Sequence, residues 1–179
     1  AYTYEFVITD NGGATGSVSW VITAEDAASF TEFTNKQLGG QSNANFGSFF
    51  KSSDGTVLFL ADANSSNGAD VDFFYYNGAT NGPTLFSPTD PDAGGLFGGA
   101  VGGWSTQNDT KIQSTSLDYA SATPADVMGE SVTGTKANQL ASGDVVIFET
   151  AGGVKGIAEV SALATGDDGA ITLNIKVVN

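Results

Sequence analysis

From residue 170 to residue 177 the chain reads Ala-Ile-Thr-Leu-Asn-Ile-Lys-Val, with apolar and polar side chains alternating from Ile171 onward. Successive side chains of a strand point to opposite faces. Leu173, Ile175 and Val177 therefore share one face and Thr172, Asn174 and Lys176 the other, the pattern of a sheet that is dry on one side and wet on the other. Two β-prone runs precede this one, at 144–149 and 154–160. The breaks between the three are turn-forming: Gly152-Gly153, then Thr165-Gly166-Asp167-Asp168-Gly169. This spacing predicts an antiparallel meander.

The same period of two recurs at the other end. Tyr2, Tyr4, Phe6 and Ile8 alternate with smaller or polar neighbours, and after Asp10-Asn11-Gly12-Gly13 the pattern returns as Val18, Trp20 and Ile22. A hairpin is expected, with Trp20 in the core. In the middle, 48–50 and 56–60 flank the turn signal Ser53-Asp54-Gly55, and Val71-Asp72-Phe73-Phe74-Tyr75-Tyr76 reads as a central strand. Two segments read as helical. Thr23 and Asp26 have capping-box spacing, with Ala27, Phe30 and Phe33 following at three-residue steps before Gly39-Gly40, which predicts a helix over 24–38. Thr123-Pro124-Ala125-Asp126 supplies a cap, a proline at the first helical position and an acidic third position for a short helix over 124–130. Residues 77–110 carry Gly82-Pro83, Ser87-Pro88, Asp90-Pro91 and a glycine-dense run up to Trp104, so regular structure should be scarce there. The expected fold is all-β: one domain over 1–179, an antiparallel β-sandwich with one or two short helices.

Composition narrows the chemistry. Of 179 residues, 20 are acidic and 6 basic, all six lysine, for a net charge of −14. Phosphate backbones and anionic membrane surfaces both require a cationic face, so neither nucleic acid nor membrane is an expected partner. Membrane insertion is not expected either, because no apolar run reaches 18 residues. The absence of histidine and cysteine excludes Ser-His-Asp triads, thiol nucleophiles and cysteine- or histidine-ligated metal centres, and leaves a non-enzymatic role as the expectation. Abundant Ser, Thr, Asn and Gly without arginine fit an exported bacterial protein, and Tyr2-Thr3-Tyr4-Glu5-Phe6 has no basic or apolar leader ahead of it, as after removal of a signal sequence. The oligomeric state is left open.

The remaining candidates for chemistry are few. Asp70 and Asp72 fall on one face of the expected strand at a spacing that suits a carboxylate pair of a glycan hydrolase, although same-face acids at a strand start are ordinarily solvated. Ser48 and Lys51, three apart in a β context, point to opposite faces and form no Ser/Lys pair. Asp62-Ala63-Asn64-Ser65-Ser66-Asn67 begins like a calcium loop, but Asn67 replaces the required glycine and Phe73 the closing glutamate. A looser calcium loop drawing on Asp62, Asn64, Asp90 or Asp92 competes with Asx turns, so no metal or other cofactor is expected. The paired glycines at 94–95, 98–99 and 102–103 lack the G-K-[ST] of a phosphate loop and read as flexible backbone. Among them and beside them stand aromatics suited to stacking on sugar rings. Trp104, Tyr75, Tyr76 and Tyr119 are the ligand-binding candidates, each competing with a place in the core, and the irregular stretch 77–110 is the expected binding region.

Three groups of segments carry a resemblance: Leu38-Gly39-Gly40-Gln41-Ser42-Asn43 with Gly47-Ser48-Phe49-Phe50; 71–76 with Leu85-Phe86-Ser87-Pro88; and 143–148 with 156–160 and 175–177. Over most of residues 38–178 the chain resembles uncharacterised exported lipoprotein modules of Bacteroidetes-type bacteria, without the cysteine that carries the lipid. The resemblance implies a β-rich fold and a secreted or cell-surface location. The functional expectation is a non-enzymatic extracellular binding or structural module, with a glycan or other cell-surface ligand as partner. The alternatives are a carboxylate-dependent glycan-active hydrolase and an architectural subunit of a surface assembly.

Overall fold

The computed structural model describes residues 2–22 and 28–179. Twelve strands and one helix follow in chain order: β1 (Tyr2–Thr9), β2 (Thr15–Ile22), β3 (Phe30–Gly39), β4 (Phe49–Phe50), β5 (Val57–Leu58), β6 (Phe73–Gly78), β7 (Gly82–Phe86), β8 (Lys111–Ser114), α1 (Pro124–Gly129), β9 (Lys136–Ala137), β10 (Val145–Glu149), β11 (Lys155–Ala164) and β12 (Ala170–Val178). Short 3₁₀ turns occupy Gly68–Asp70 and Val101–Gly103, and Ala93–Gly99 holds two more, broken by a kink at Leu96, Phe97 and Gly98. The all-β antiparallel sandwich is therefore the fold.

Its two sheets have five strands each, ordered β3-β12-β11-β10-β8 and β5-β4-β6-β7-β9. The meander is β10-β11-β12, and β12 is buried at every second residue as its alternation requires. β6 is the middle strand of the second sheet. Along one side the sheets meet through a parallel bridge between Ile112 and Thr135. Between the sheets lies the main core, where Phe50, Phe73, Tyr75 and Leu85 face Val146, Phe148, Leu173 and Ile175.

Both sheets are also covered on their outer faces. Phe49, Phe74 and Phe86 point away from the main core and are roofed by Ala93, Val101 and Trp104, all from the glycine-dense segment. Val127 of α1, with Val132, covers Ile147 and Ile157 on the outer face of the other sheet. The molecule is thus layered as cover, sheet, sheet, cover. α1 carries the expected capping box: Asp126 N–H donates to Thr123 Oγ1 at 3.3 Å and Thr123 N–H to Asp126 Oδ2 at 2.8 Å.

Two expectations are corrected. The segment expected as a helix over 24–38 contains β3, a ten-residue strand, while 23–27 lie outside the described residues. Phe30 and Phe33 do not share a helical face. Phe33 pairs with Ile175 and packs on the main core, whereas Phe30 pairs with Val178 and packs on the outer cluster. Opposite Asn174 the register shifts, with Thr34 and Asn35 standing where β12 has one residue, and Asn35 takes φ +53. This β-bulge resets the alternation, so Phe33 and Leu38 reach the same core despite odd spacing. The second correction concerns Trp20, which is 59% exposed on a two-stranded β1-β2 sheet that joins neither five-stranded sheet.

Candidate functional site

The four aromatic candidates do not converge. Tyr75 is fully buried between the sheets, where burial pushes its phenol up to about 12 and leaves its hydroxyl without a partner. Trp104 is 8% exposed, its ring 5.4 Å from Phe49, with no face open for stacking. A β-carbon on Gly68 would lie 2.9 Å from the Trp104 ring, so the indole sits directly on bare backbone. Tyr119 belongs to the cluster on the opposite outer face, under the Lys176 ammonium at 4.5 Å, and its phenol is also pushed up to about 12, first by burial and then by Glu32 and Glu159. Tyr75 and Trp104 are corrected to core residues because alternation along β6 sends Tyr75 inward and the outer face of that sheet needs an apolar roof.

Tyr76 is different. It is half-buried and lines a pocket of about 350 Å³ together with Gly78, Asn81, Phe86, Asp92 and Leu96. Its position follows from the same alternation: Phe74 and Tyr76 share the outer face, and the roof covers Phe74 while leaving the end of the strand open. One rim is the β6–β7 turn, where Gly82 at φ +62 reverses the chain. The other rim is the start of the roof, Asp92 to Leu96. Phe86 forms the apolar floor and Phe97 meets the Tyr76 ring edge-on at 5.2 Å, fixing its plane.

Charge at this pocket comes from two carboxylates around one ammonium. Lys136 Nζ bonds Asp92 Oδ2, lies 3.6 Å from Asp90 Oδ1 and sits 5.7 Å above the Phe86 ring. The hydrogen bond from Lys136 holds the Asp92 carboxyl below the usual carboxylate range, and Asp92 raises the lysine in turn. Asp90 is buried and serves as a post: it accepts from Thr135 Oγ1 at 2.6 Å and from Asp92 N–H at 2.9 Å. The pocket thus offers an aromatic wall, an apolar floor, and amide and hydroxyl groups, with the Asp92 carboxylate paired to Lys136.

A larger cleft of about 520 Å³ opens among Thr31, Ser52, Asp70, Asp72, Asn108 and Asn179. Asp70 and Asp72 both line it, but not as a same-face pair on a strand: Asp70 ends a 3₁₀ turn and Asp72 precedes β6. Asp72 is 5% exposed, and desolvation raises its carboxyl above the ordinary range despite two short bonds, from Ser52 N–H and from Asn108 Nδ2, each 2.6 Å. Both of its oxygens are engaged in tying two loops together. Asp70 is exposed and faces Lys51 at 3.6 Å. Ser48 is engaged elsewhere, its buried hydroxyl donating to Gly39 O at 2.8 Å. The cleft has no aromatic wall.

In the calcium-like stretch, Asn64 and Asn67 side chains donate back to Asp62 O at 2.9 and 2.8 Å, and Ser66 N–H donates to Asn64 Oδ1, an Asx turn. Among the described residues no three His, Cys, Asp or Glu side chains gather as metal ligands, and no helix is long and apolar enough to cross a membrane.

Phe86, Leu96 and Asn81 fall within the stretch 77–110 expected to bind, but none of them stands out singly in the sequence; the turn dipeptides Gly82-Pro83 and Asp90-Pro91 mark the two rims.

No family model and no curated protein matches the chain. Among solved structures, the fold resembles that of a DUF4466 family protein from Parabacteroides merdae ATCC 43184, with a TM-score of 0.53 and 14% sequence identity, over 98% of this chain and 61% of that one. The chain therefore shares its fold with a Bacteroidetes protein and spans under two thirds of that protein's length.

Proposed function

We propose that this protein is a non-enzymatic binding module, secreted or held at the surface of a Bacteroidetes-type bacterium, and that the Tyr76 pocket takes a neutral, hydroxyl-rich ligand of the glycan class. One observation carries the reading. Of the four aromatic candidates Tyr76 lines one of the two pockets described, and there it stands beside amide and hydroxyl groups and the Asp92 carboxylate, which is paired with Lys136. Sugars present apolar ring faces and a fringe of hydroxyls, so they are matched by an aromatic wall with donors and acceptors around it. An anionic ligand is disfavoured by the net charge of −14. Location outside the cell is supported by the arginine-free, Ser/Thr/Asn/Gly-rich composition and by the lipoprotein resemblance.

A glycan array probed with the labelled protein tests this reading: selective binding to one class of glycan is expected, and silence across the array contradicts it. A hydrolase is the second reading, and the specific observation in its favour is the raised, buried Asp72 carboxyl in the larger cleft. Turnover of chromogenic glycosides or polysaccharides, abolished in an Asp72→Asn variant that still melts cooperatively, overturns the binding-module reading.

A further inference from the structure

At Phe97 the roof carries a strain that a glycine would have avoided. Among the described residues three besides glycine take a positive φ, Asn35, Gln139 and Phe97, and Phe97 is the bulky ring, at φ +50 and ψ +37. A β-carbon in this left-handed conformation crowds the following carbonyl, which is why glycine ordinarily fills it. Glycines stand on both sides. Gly98 takes φ +68 freely, and Gly95 has open space around it and no positive φ to require it. The sequence thus puts an aromatic ring at a position where glycine would be unstrained. Strain of this kind persists where the surroundings over-determine it, and it gathers at ligand sites.

The roof alone does not account for the ring. Ala93, Val101 and Trp104 already cover Phe49 and Phe74 and are buried, whereas Phe97 is half-buried. Its ring lies 4.9 Å from Phe49 and 5.7 Å from Phe74, and it also meets Tyr76 at an interplanar angle of 86°. The left-handed turn separates two consecutive side chains: Leu96 lines the pocket, and Phe97 stands against the tyrosine that forms the pocket's wall. Gly78 leaves that tyrosine its room, since a β-carbon there would come within 3.3 Å of Tyr76 Cε1. We infer that Phe97 is a positioning residue of the ligand site, bracing Tyr76 in one rotamer before a ligand arrives. This rests on the Tyr76 pocket being that site. Tyr76 stands near the end of β6, where the roof stops, and an unbraced tyrosine there would turn between staggered rotamers. Ordering a side chain at the moment of binding lowers affinity, and a braced one avoids that loss.

Phe97→Leu keeps an apolar side chain in the roof and removes the ring, while Phe97→Tyr restores the ring. The chain has five tyrosines, and in tyrosine-labelled protein the Tyr76 signals are identified by their loss in Tyr76→Phe. Their χ1 couplings should report a single rotamer in the parent and in Phe97→Tyr, and averaging between rotamers in Phe97→Leu. On a glycan array read over a protein concentration series, Phe97→Leu should bind the parent's best glycan about 2- to 12-fold more weakly, the cost of ordering one side chain. Phe97→Tyr should bind it as the parent does. Should Phe97→Leu fail to fold, Phe97→Gly removes ring and strain together and carries the same expectations. A Tyr76 still held in one rotamer in folded Phe97→Leu or Phe97→Gly overturns the proposal, and so does an averaging Tyr76 that binds as tightly as the parent's. An array silent for the parent, with Tyr76 released on loss of the Phe97 ring, overturns the glycan reading and supports the brace.

Discussion

At the residue scale, two side chains separate packing from binding. Trp104 is the keystone of the roof over the second sheet, in contact with Phe49 and seated on Gly68. Trp104→Ala should therefore cost about 3–5 kcal/mol of stability, read as a lower urea midpoint with an unchanged slope. A loss under about 1 kcal/mol, as for a surface contact, contradicts its place in the core. Asp72 makes the opposite kind of statement. Its carboxyl is raised, first by desolvation, so the folded state holds that proton more tightly than the unfolded chain does. The contribution is complete below the ordinary value of 3.8 and is lost as pH rises through the raised one. Asp72→Asn lacks this dependence, while aspartates with lowered values, such as Asp109 and Asp118, remain in both proteins and cancel. The stability advantage of the parent over Asp72→Asn should shrink as pH rises above 3.8. A difference that stays constant across urea titrations from pH 4 to 7 contradicts the burial argument.

At the element scale, β3 shows where local pattern misleads. Phe30 and Phe33 at a three-residue step look like one helical face, yet a strand with a bulge places them on opposite sides and still delivers Phe33 and Leu38 to one core. The bulge depends on pairing with β12, a partner some 140 positions away, and no local period encodes it. Asn35 holds the left-handed conformation and its N–H donates to Asn174 Oδ1 at 3.0 Å. Asn35→Val should cost roughly 1–2 kcal/mol while Asn35→Gly is close to neutral, both read by chemical denaturation. Equal losses for the two contradict a bulge at this position. Where partner and pattern are neighbours in sequence, the reading was accurate: the meander, the β4-β5 hairpin and the capped α1 all follow from adjacent residues. Thr123→Ala, which removes the capping box, should cost about 1 kcal/mol.

At the scale of the whole molecule, the glycine-dense segment changes meaning. Its composition reads as flexible, but a β-carbon at Gly102 would lie 2.7 Å from Gly94 O, so two backbones pack directly against each other. The segment is a roof for Phe49, Phe74 and Phe86, and the stretch 77–110 lines the pocket beside Tyr76 at the end where that roof stops. The pocket was only partly legible in the sequence. Tyr76 was among the aromatic candidates, but whether an aromatic is roofed or open depends on a layer assembled from Ala93, Val101 and Trp104, well beyond its own strand. Nothing local distinguishes Tyr75 from Tyr76 beyond the parity of the strand, and parity becomes exposure only once both sheets and both covers are in place.

The most direct measurement is calorimetric titration of the best glycan from the array against three proteins: the parent, Tyr76→Ala and Asp70→Ala, the last altering the larger cleft instead. Loss of a stacking wall should weaken binding by about 1–3 kcal/mol, roughly 5- to 150-fold in affinity, while Asp70→Ala binds as the parent does. Undiminished binding by a folded Tyr76→Ala, with loss confined to Asp70→Ala, contradicts the assignment of the ligand to the Tyr76 pocket.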